Sequence, residues 1–249
     1  MLIVVSPAKK LNMDPVNSVD VTEPLFKEDV KSLIKIARDL SSDQLKDLMG
    51  ISPKLADLNK ERFLNFGNQE KKAAVFAFAG DTYKGLDIEK LNENDLDWAQ
   101  KHLRILSGLY GLLRPLDLIE PYRLEMGSKL KGDHGNTLYE FWHNKISQNL
   151  NKYAREIGTN VLVNCASNEY FNAIKPNTLE LRVVTPVFME RKDGKEKIIS
   201  FYAKNARGAM ARFIIQNQIT EVEKIKHFNL DGYNYEPVKS EENKLVFIR

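Results

Sequence analysis

The chain has 249 residues, of which 43% are hydrophobic and 29% are charged, and its formal net charge is +3. This composition is typical of a folded globular protein and argues against a disordered or fibrous chain. The longest apolar runs, Leu2 to Val5 and Ala73 to Ala79, are far shorter than the roughly 20 residues of a membrane helix. We therefore expect no membrane contact and, because no secretory signal pattern is visible, a cytoplasmic location.

The cysteine and histidine content argues against a metal or redox protein. A single cysteine, Cys165, excludes an intramolecular disulfide and a thiolate metal cage, and its apolar surroundings indicate a small core residue. The histidines show no metal-ligand spacing, and no Walker, G-x-G-x-x-G or G-x-S-x-G motif occurs. We expect no metal and no cofactor.

The first half of the chain is predicted to contain two strands and several helices. The run Leu2 to Val5 predicts a strand, and the run Ala73 to Ala79, which ends at a Gly-Asp turn signal, predicts a central strand. Apolar residues at helical spacing predict helices that begin at Pro24, Asp43, Ser52 and Asn94, the last of them reaching Leu106.

The second half mixes strands and helices without a linker or a repeat. It contains a predicted long helix after Asn136-Thr137 that ends at Gly158, a strand from Asn160 to Cys165, two strands around Asp193-Gly194, a basic helix, a capping box at Thr220 to Glu223, and terminal strands near Tyr233 and Leu245. These patterns predict a single compact α/β domain over residues 1–249, with a mixed sheet surrounded by helices.

The segment from Phe201 to Arg212 combines cations with small residues, and no acidic residue occurs between Glu196 and Glu221. One interpretation is a ligand-binding face on which the small residues admit a ligand's backbone. The other is a solvated helix face on which Gly208 serves close packing. The cations of this region are Lys197, Lys204, Arg207 and Arg212.

The segment from Leu106 to Leu112 resembles the glycine turn of a helix-hairpin-helix element that binds nucleic acid. Backbone N–H groups at Gly108 and Gly111 would contact phosphate oxygens, and Arg104 and Arg114 would flank them. The proline after Arg114 requires a short second helix. In the alternative interpretation, Gly108 only closes a helix and Gly111 only forms a turn.

Acidic residues near predicted turns allow a second kind of site. Taken one at a time, Asp117 and Glu125 are better explained as members of structural salt bridges. The prolines that bracket this loop would also let it present fixed charges to a ligand. The segment from Asn164 to Tyr170 follows a strand, where open α/β sheets place ligands, and Glu169 is a candidate general acid or base.

Several blocks, in colinear order over nearly the whole chain, closely resemble the YaaA family of peroxide-stress response proteins. The glycine turn with Arg-Pro-Leu-Asp and the Phe-Tyr-Ala-Lys-x-Ala-Arg-Gly run are the most specific. The blocks are Ser6 to Lys9, Gly80 to Leu86, Leu106 to Asp117, Tyr122 to Gly127, Leu138 to Trp142, Asn164 to Tyr170 and Ile199 to Arg212.

This resemblance implies a bacterial cytoplasmic protein that keeps unincorporated iron low during hydrogen peroxide stress and so limits oxidative DNA damage. It also implies an unusual compact α/β fold that binds DNA through a positively charged cleft and a helix-hairpin-helix element. Cys165 stands where the family pattern has leucine, which argues against a family-wide thiol sensor. The cleft candidates are Lys9, Arg104, Gly108, Gly111, Arg114, Arg123, Lys204, Arg207 and Arg212.

Three functions remain open from the sequence. The first is binding of duplex or distorted duplex DNA with little sequence specificity. The second is an enzyme that acts on a nucleotide or a nucleic-acid base, and the third is a scaffold whose cleft binds an acidic protein. The enzyme would require convergence in one pocket of the candidates Glu169, Glu125, Asp117 and Tyr170.

Overall fold

The computed structural model describes residues 1–16 and 19–249. Its strands are β1 (Leu2–Val5), β2 (Lys72–Ala73), β3 (Leu103–Ser107), β4 (Gly111–Leu113), β5 (Leu118–Ile119), β6 (Val161–Cys165), β7 (Arg182–Lys192), β8 (Lys195–Lys197), β9 (Asn234–Tyr235) and β10 (Lys244–Ile248). The strands β2 and β5 form a small antiparallel pair of their own.

The helices come singly or in groups of two or three between the strands. They are α1 (Lys27–Asp39), α2 (Ser42–Met49), α3 (Pro53–Leu64), α4 (Ala74–Ala77), α5 (Asp81–Leu86), α6 (Glu93–His102), α7 (Leu138–Trp142), α8 (Lys145–Glu156), α9 (Asn168–Phe171), α10 (Ser200–Gln216) and α11 (Val222–Ile225). Among the described residues, no helix is both long and apolar enough to cross a bilayer.

The main sheet is mixed and has the order β4-β3-β1-β6-β7-β10-β9, with β8 paired to β7. The strand β1 is buried along its whole length and is parallel to β3 on one side and to β6 on the other. Because β1, β3 and β6 are parallel, their carboxyl ends lie at one edge of the sheet. The predicted α/β class with a mixed sheet is confirmed.

Two glycines let α5 and α10 pack with their backbones in contact. A Cβ atom added at Gly208 would lie 1.8 Å from the carbonyl oxygen of Thr82, and one added at Gly85 would lie 1.9 Å from that of Asn205. The close-packing interpretation of Gly208 is therefore correct. The backbone that approaches this glycine belongs to α5 and not to a ligand.

The helix-hairpin-helix prediction is wrong. The predicted first helix is interrupted: α6 ends at His102, and the following residues form β3. The strand β3 pairs with β4 as an antiparallel β-hairpin. The reason is tertiary: β3 lies against β1 and is fully buried, and a continuous apolar run suits a buried strand as well as a helix.

Other element boundaries also differ from the sequence prediction. The run Ala73 to Ala79 forms a residue of β2 and the short helix α4 instead of a central strand. The long helix after Thr137 is divided into α7 and α8 at His143, whose φ is +40°. The helix α10 begins at Ser200, so Phe201 is helical, and α11 has no side-chain cap at its first turn.

Candidate functional site

The candidate site lies where the sheet's connections change direction. The chain leaves β1 towards β3 on one side and leaves β6 towards β7 on the other, so the crevice between β1 and β6 is a topological switch point. Ser6 and Ser167 follow these two strands. The hydroxyl of Ser6 accepts a hydrogen bond from the backbone N–H of Ser167 at 2.9 Å, and the Tyr83 hydroxyl donates to the Ser6 carbonyl at 3.1 Å.

A cavity of about 320 Å³ opens at this crevice. Its walls are the segments after β1 and β6, the start of α5, and the second and third turns of α10. Cations outnumber carboxylates in its lining, which gives the cavity a positive field that attracts anions. The charged lining residues are Lys9, Lys10, Lys204, Arg207, Asp81 and Glu169.

Three of these cations, Lys10, Lys204 and Arg207, have no carboxylate within 4.0 Å in the described part of the chain. Arg207 is half-buried, and this burial lowers the pKa of its guanidinium from the usual range. A bound anion would stabilise this partly desolvated charge.

A narrow extension of about 10 Å³ adjoins the cavity, and the two share Pro7, Ala8, Lys9 and Tyr170 in their linings. Glu125 lies at this extension and is 8% exposed. Its Oε1 is 3.3 Å from Lys9 Nζ and 3.0 Å from Arg123 Nε. Its Oε2 is buried and has no hydrogen-bond donor among the residues described.

Two buried tyrosines complete the extension. The Tyr122 hydroxyl lies 2.6 Å from Ser107 Oγ, and burial raises the pKa of both Tyr122 and Tyr170. Both side chains therefore remain neutral phenols at neutral pH. On the cavity side, Glu169 Oε1 accepts a hydrogen bond from the Gly127 backbone N–H at 3.0 Å.

The structure brings four of the predicted cleft residues to this site. Lys9, Lys204 and Arg207 line the cavity, and Arg123 lines the extension. The sequence placed Lys10 with Lys9 at the end of the first strand but did not select it for the cleft, and the pair Ser6 and Ser167 was not predicted. The available signal for the serines was a polar residue within two positions of the end of each of two buried strands.

Arg104 does not belong to the site. It is 2% exposed, and its guanidinium carbon lies 3.9 Å from the centroid of the Tyr153 ring. Its Nη1 donates to the carbonyl oxygens of Gln100 and Leu103, and burial lowers the pKa of the guanidinium to about 10. Arg104 is thus a core residue, because β3 is an interior strand.

Two further arginines are neutralised by carboxylates. Arg114 Nη2 lies 2.8 Å from Asp117 Oδ1, and Arg212 Nη1 lies 2.9 Å from Asp87 Oδ2. Asp117 is 1% exposed and fully engaged by Arg114 and Thr22. These pairs serve the fold, and Asp117 has no place in a catalytic pocket.

Gly108 and Gly111, the two glycines of the predicted helix-hairpin-helix turn, are buried. A Cβ atom at Gly108 would lie 2.3 Å from the Leu124 carbonyl oxygen, and one at Gly111 would lie 2.6 Å from the Trp142 ring. The Gly108 carbonyl accepts a hydrogen bond from Trp142 Nε1 at 3.0 Å. The turn therefore supports the segment that carries Glu125 and is not a surface for phosphate.

The Cys165 thiol is buried in the core. Burial raises the pKa of the Cys165 thiol to about 12 and outweighs the opposite effect of the nearby Arg207 charge, so the thiol stays protonated. This agrees with its interpretation as a core residue, although the sequence had suggested no cation near it. In residues 1–16 and 19–249, no group of three or more metal-ligating side chains is present.

The family model for peroxide stress protein YaaA matches residues 1–239 of the chain. The chain belongs to this family. Among relatives of the family, a UPF0246 protein of Ruegeria pomeroyi is 53% identical and one of Roseobacter denitrificans is 54% identical. Each alignment covers 100% of this chain and 98% of the relative. The resemblance inferred from the sequence blocks is confirmed.

Proposed function

We propose that this member of the YaaA family binds DNA at the cavity between β1 and β6 and thereby helps limit iron-dependent DNA damage under peroxide stress. The observation that carries the proposal is the group of unpaired cations, Lys10, Lys204 and Arg207, around one cavity at the carboxyl edge of the sheet. The role in peroxide stress comes from the family.

Phosphate is the anion that suits these residues best. Arg207 offers a planar guanidinium for two parallel hydrogen bonds, and the lysines add mobile point charges. Because such contacts go to the backbone of DNA, they carry little sequence information. The basic surface is smaller than the sequence implied, since Arg104, Arg114 and Arg212 are buried or paired.

The test is the salt dependence of binding to a fluorescent duplex, measured by anisotropy. Each neutralised phosphate contributes about 0.9 to the slope of log affinity against log salt, so the unpaired Lys10, Lys204 and Arg207 together give a slope of roughly 3. The Lys204→Glu/Arg207→Glu variant should lose at least about tenfold in affinity and about 2 in slope.

A matched control carries the same change of net charge elsewhere. Lys54 and Lys152 are exposed and do not line the cavity, so the Lys54→Glu/Lys152→Glu variant should bind nearly as well as the unaltered protein. If both double variants lose affinity equally, binding reflects net charge alone and the cavity is not the site.

The second candidate function is an enzyme acting on a nucleotide or a base. It is supported by the arrangement of Glu125, Glu169 and Tyr170 around the same cationic cavity. The test is mass spectrometry of DNA and free nucleotides after incubation with the protein and with its Glu125→Gln variant. Any product formed by both proteins at equal rates would remove Glu125 from the chemistry.

A further inference from the structure

We propose that the cavity takes a single unstacked nucleotide of DNA, with its phosphate against Lys204 and Arg207 and the edge of its base donating a hydrogen bond to Glu125. This inference rests on the proposed DNA binding and adds to it the form of DNA that is recognised.

The size of the cavity favours one nucleotide. A volume of about 320 Å³ lies at the lower end of small-molecule pockets and is too small for a base pair with both backbones. Proteins that need access to a base take it out of the stack into such a pocket. The duplex itself would then remain outside the cavity, against the exposed Lys10.

The buried carboxylate supplies the recognition of the base. Lys9 and Arg123 both contact Oε1 of Glu125, and its Oε2 is a buried oxygen without a donor among the described residues. A buried acceptor without a partner costs free energy, which a donor from the ligand would recover. The adjoining extension of about 10 Å³ has room for one polar group the size of a water molecule.

An N–H group of a base fits these requirements. Carboxylates accept from the exocyclic amino group of cytosine, and adenine and guanine present comparable N–H donors. Bases with an amino group are therefore the expected ligands. A Glu125→Gln substitution keeps the shape of the side chain and removes the charged acceptor.

An exposed aromatic side chain on α10 also suits unpaired DNA. Phe201, in the first turn of the helix, is 52% exposed. Lys84 lies 5.9 Å from the Phe201 ring centroid and 3.7 Å from Asp81, which lines the cavity. Phe201 also lies one helical turn before Lys204, which lines the cavity, so it can stack on a base next to the extruded nucleotide.

The experiment compares a fully paired duplex with the same duplex carrying one bulged 2-aminopurine, a fluorescent base with an amino group. We expect the bulged DNA to bind the intact protein at least about tenfold more tightly, and the 2-aminopurine emission to change on binding. Glu125→Gln should reduce this preference several-fold while binding of the paired duplex is retained.

A second variant keeps the test open if Glu125→Gln is not folded. Phe201→Ala alters an exposed side chain, so the protein should fold normally and still lose part of the preference for bulged DNA. Thermal unfolding of each variant identifies a loss of fold.

The outcomes separate this inference from the proposed function. Equal affinity for paired and bulged DNA, or an unchanged preference in a folded Glu125→Gln variant, would overturn the single-nucleotide site and leave DNA binding intact. Absence of binding to either DNA would overturn both proposals. Displacement of the bulged DNA by equimolar deoxycytidine monophosphate would show that the ligand is a free nucleotide and contradict the assignment to DNA.

Discussion

The Ser6 hydroxyl lies 2.9 Å from the backbone nitrogen of Ser167 and 3.3 Å from its hydroxyl oxygen. These two residues are separated by 161 positions in the sequence, yet Ser6 directly follows β1 and Ser167 follows β6 after one intervening residue. The contact closes the crevice between β1 and β6 and holds two walls of the cavity together. It is therefore both a structural contact and a determinant of the site's shape.

The Ser6→Ala substitution should lower the free energy of unfolding by about 1 kcal/mol, because the Ser167 N–H loses its acceptor. The affinity for DNA should fall as well, since the cavity walls are less firmly held. Urea unfolding and anisotropy measure the two effects. Ser167→Ala is the matched control, because it keeps the stronger bond and should cost less than half as much; an equal cost would contradict this account.

The paired arginines should be dispensable for DNA binding. Arg212→Ala disrupts the pair with Asp87 and Arg114→Ala the pair with Asp117, so each should change stability more than affinity. Arg207→Ala, by contrast, should weaken binding by roughly tenfold, because this guanidinium lines the cavity and no carboxylate of the described residues lies within 4.0 Å of it. Anisotropy titrations of the three variants under one salt condition test this, and a larger effect from Arg212→Ala than from Arg207→Ala would refute it.

The sequence predicted the helices and strands best where local patterns were supported by caps or turns. Ser52 caps α3 and Gly50 ends α2, as such patterns predict. The segment after His102 was misread because a buried strand and a buried helix are both continuously apolar. Only pairing with β1, a contact distant in sequence, decides between them.

The site was predicted in part for a comparable reason. Lys9, Lys204 and Arg207 follow strands or lie on a basic helix, and local sequence identifies such positions. The sequence does not show which arginines are paired with carboxylates, because the fold brings the partners together. Asp87, for example, is 125 residues from Arg212. The unpartnered oxygen of Glu125 has no sequence signature, because it results from packing on every side.

His102 should make the protein less stable in mild acid. Burial lowers the pKa of this histidine from 6.5 to about 4, and its Nδ1 lies 2.9 Å from the Met1 carbonyl oxygen. Between these two pKa values the unfolded chain binds a proton that the folded protein excludes, so stability falls as pH decreases through this range.

The measurement is the urea midpoint as a function of pH for the intact protein and for His102→Asn. The variant lacks this titration and should lose less stability across the same range, whereas carboxylates affect both proteins alike. Parallel pH profiles of the two proteins would show that His102 does not contribute.

Gly108 connects the β-hairpin to the carboxylate of the site. A Cβ atom at this position would lie 2.3 Å from the Leu124 carbonyl oxygen and 2.9 Å from the backbone carbonyl carbon of Glu125. Gly108→Ala therefore cannot be accommodated without moving that segment, and overpacking of this kind costs roughly 1–3 kcal/mol. Because the moved backbone carries Glu125, the variant should also lose preference for bulged DNA.

Gly158→Ala is the control for this prediction. Gly158 has a φ of +66° and nothing within 4 Å of an added Cβ atom, so its substitution costs only the backbone strain, about 1 kcal/mol. It should leave the preference for bulged DNA unchanged, since Gly158 follows α8 and does not line the cavity. If Gly108→Ala is as stable as Gly158→Ala and retains the preference, the contact between the hairpin and Glu125 does not position the carboxylate.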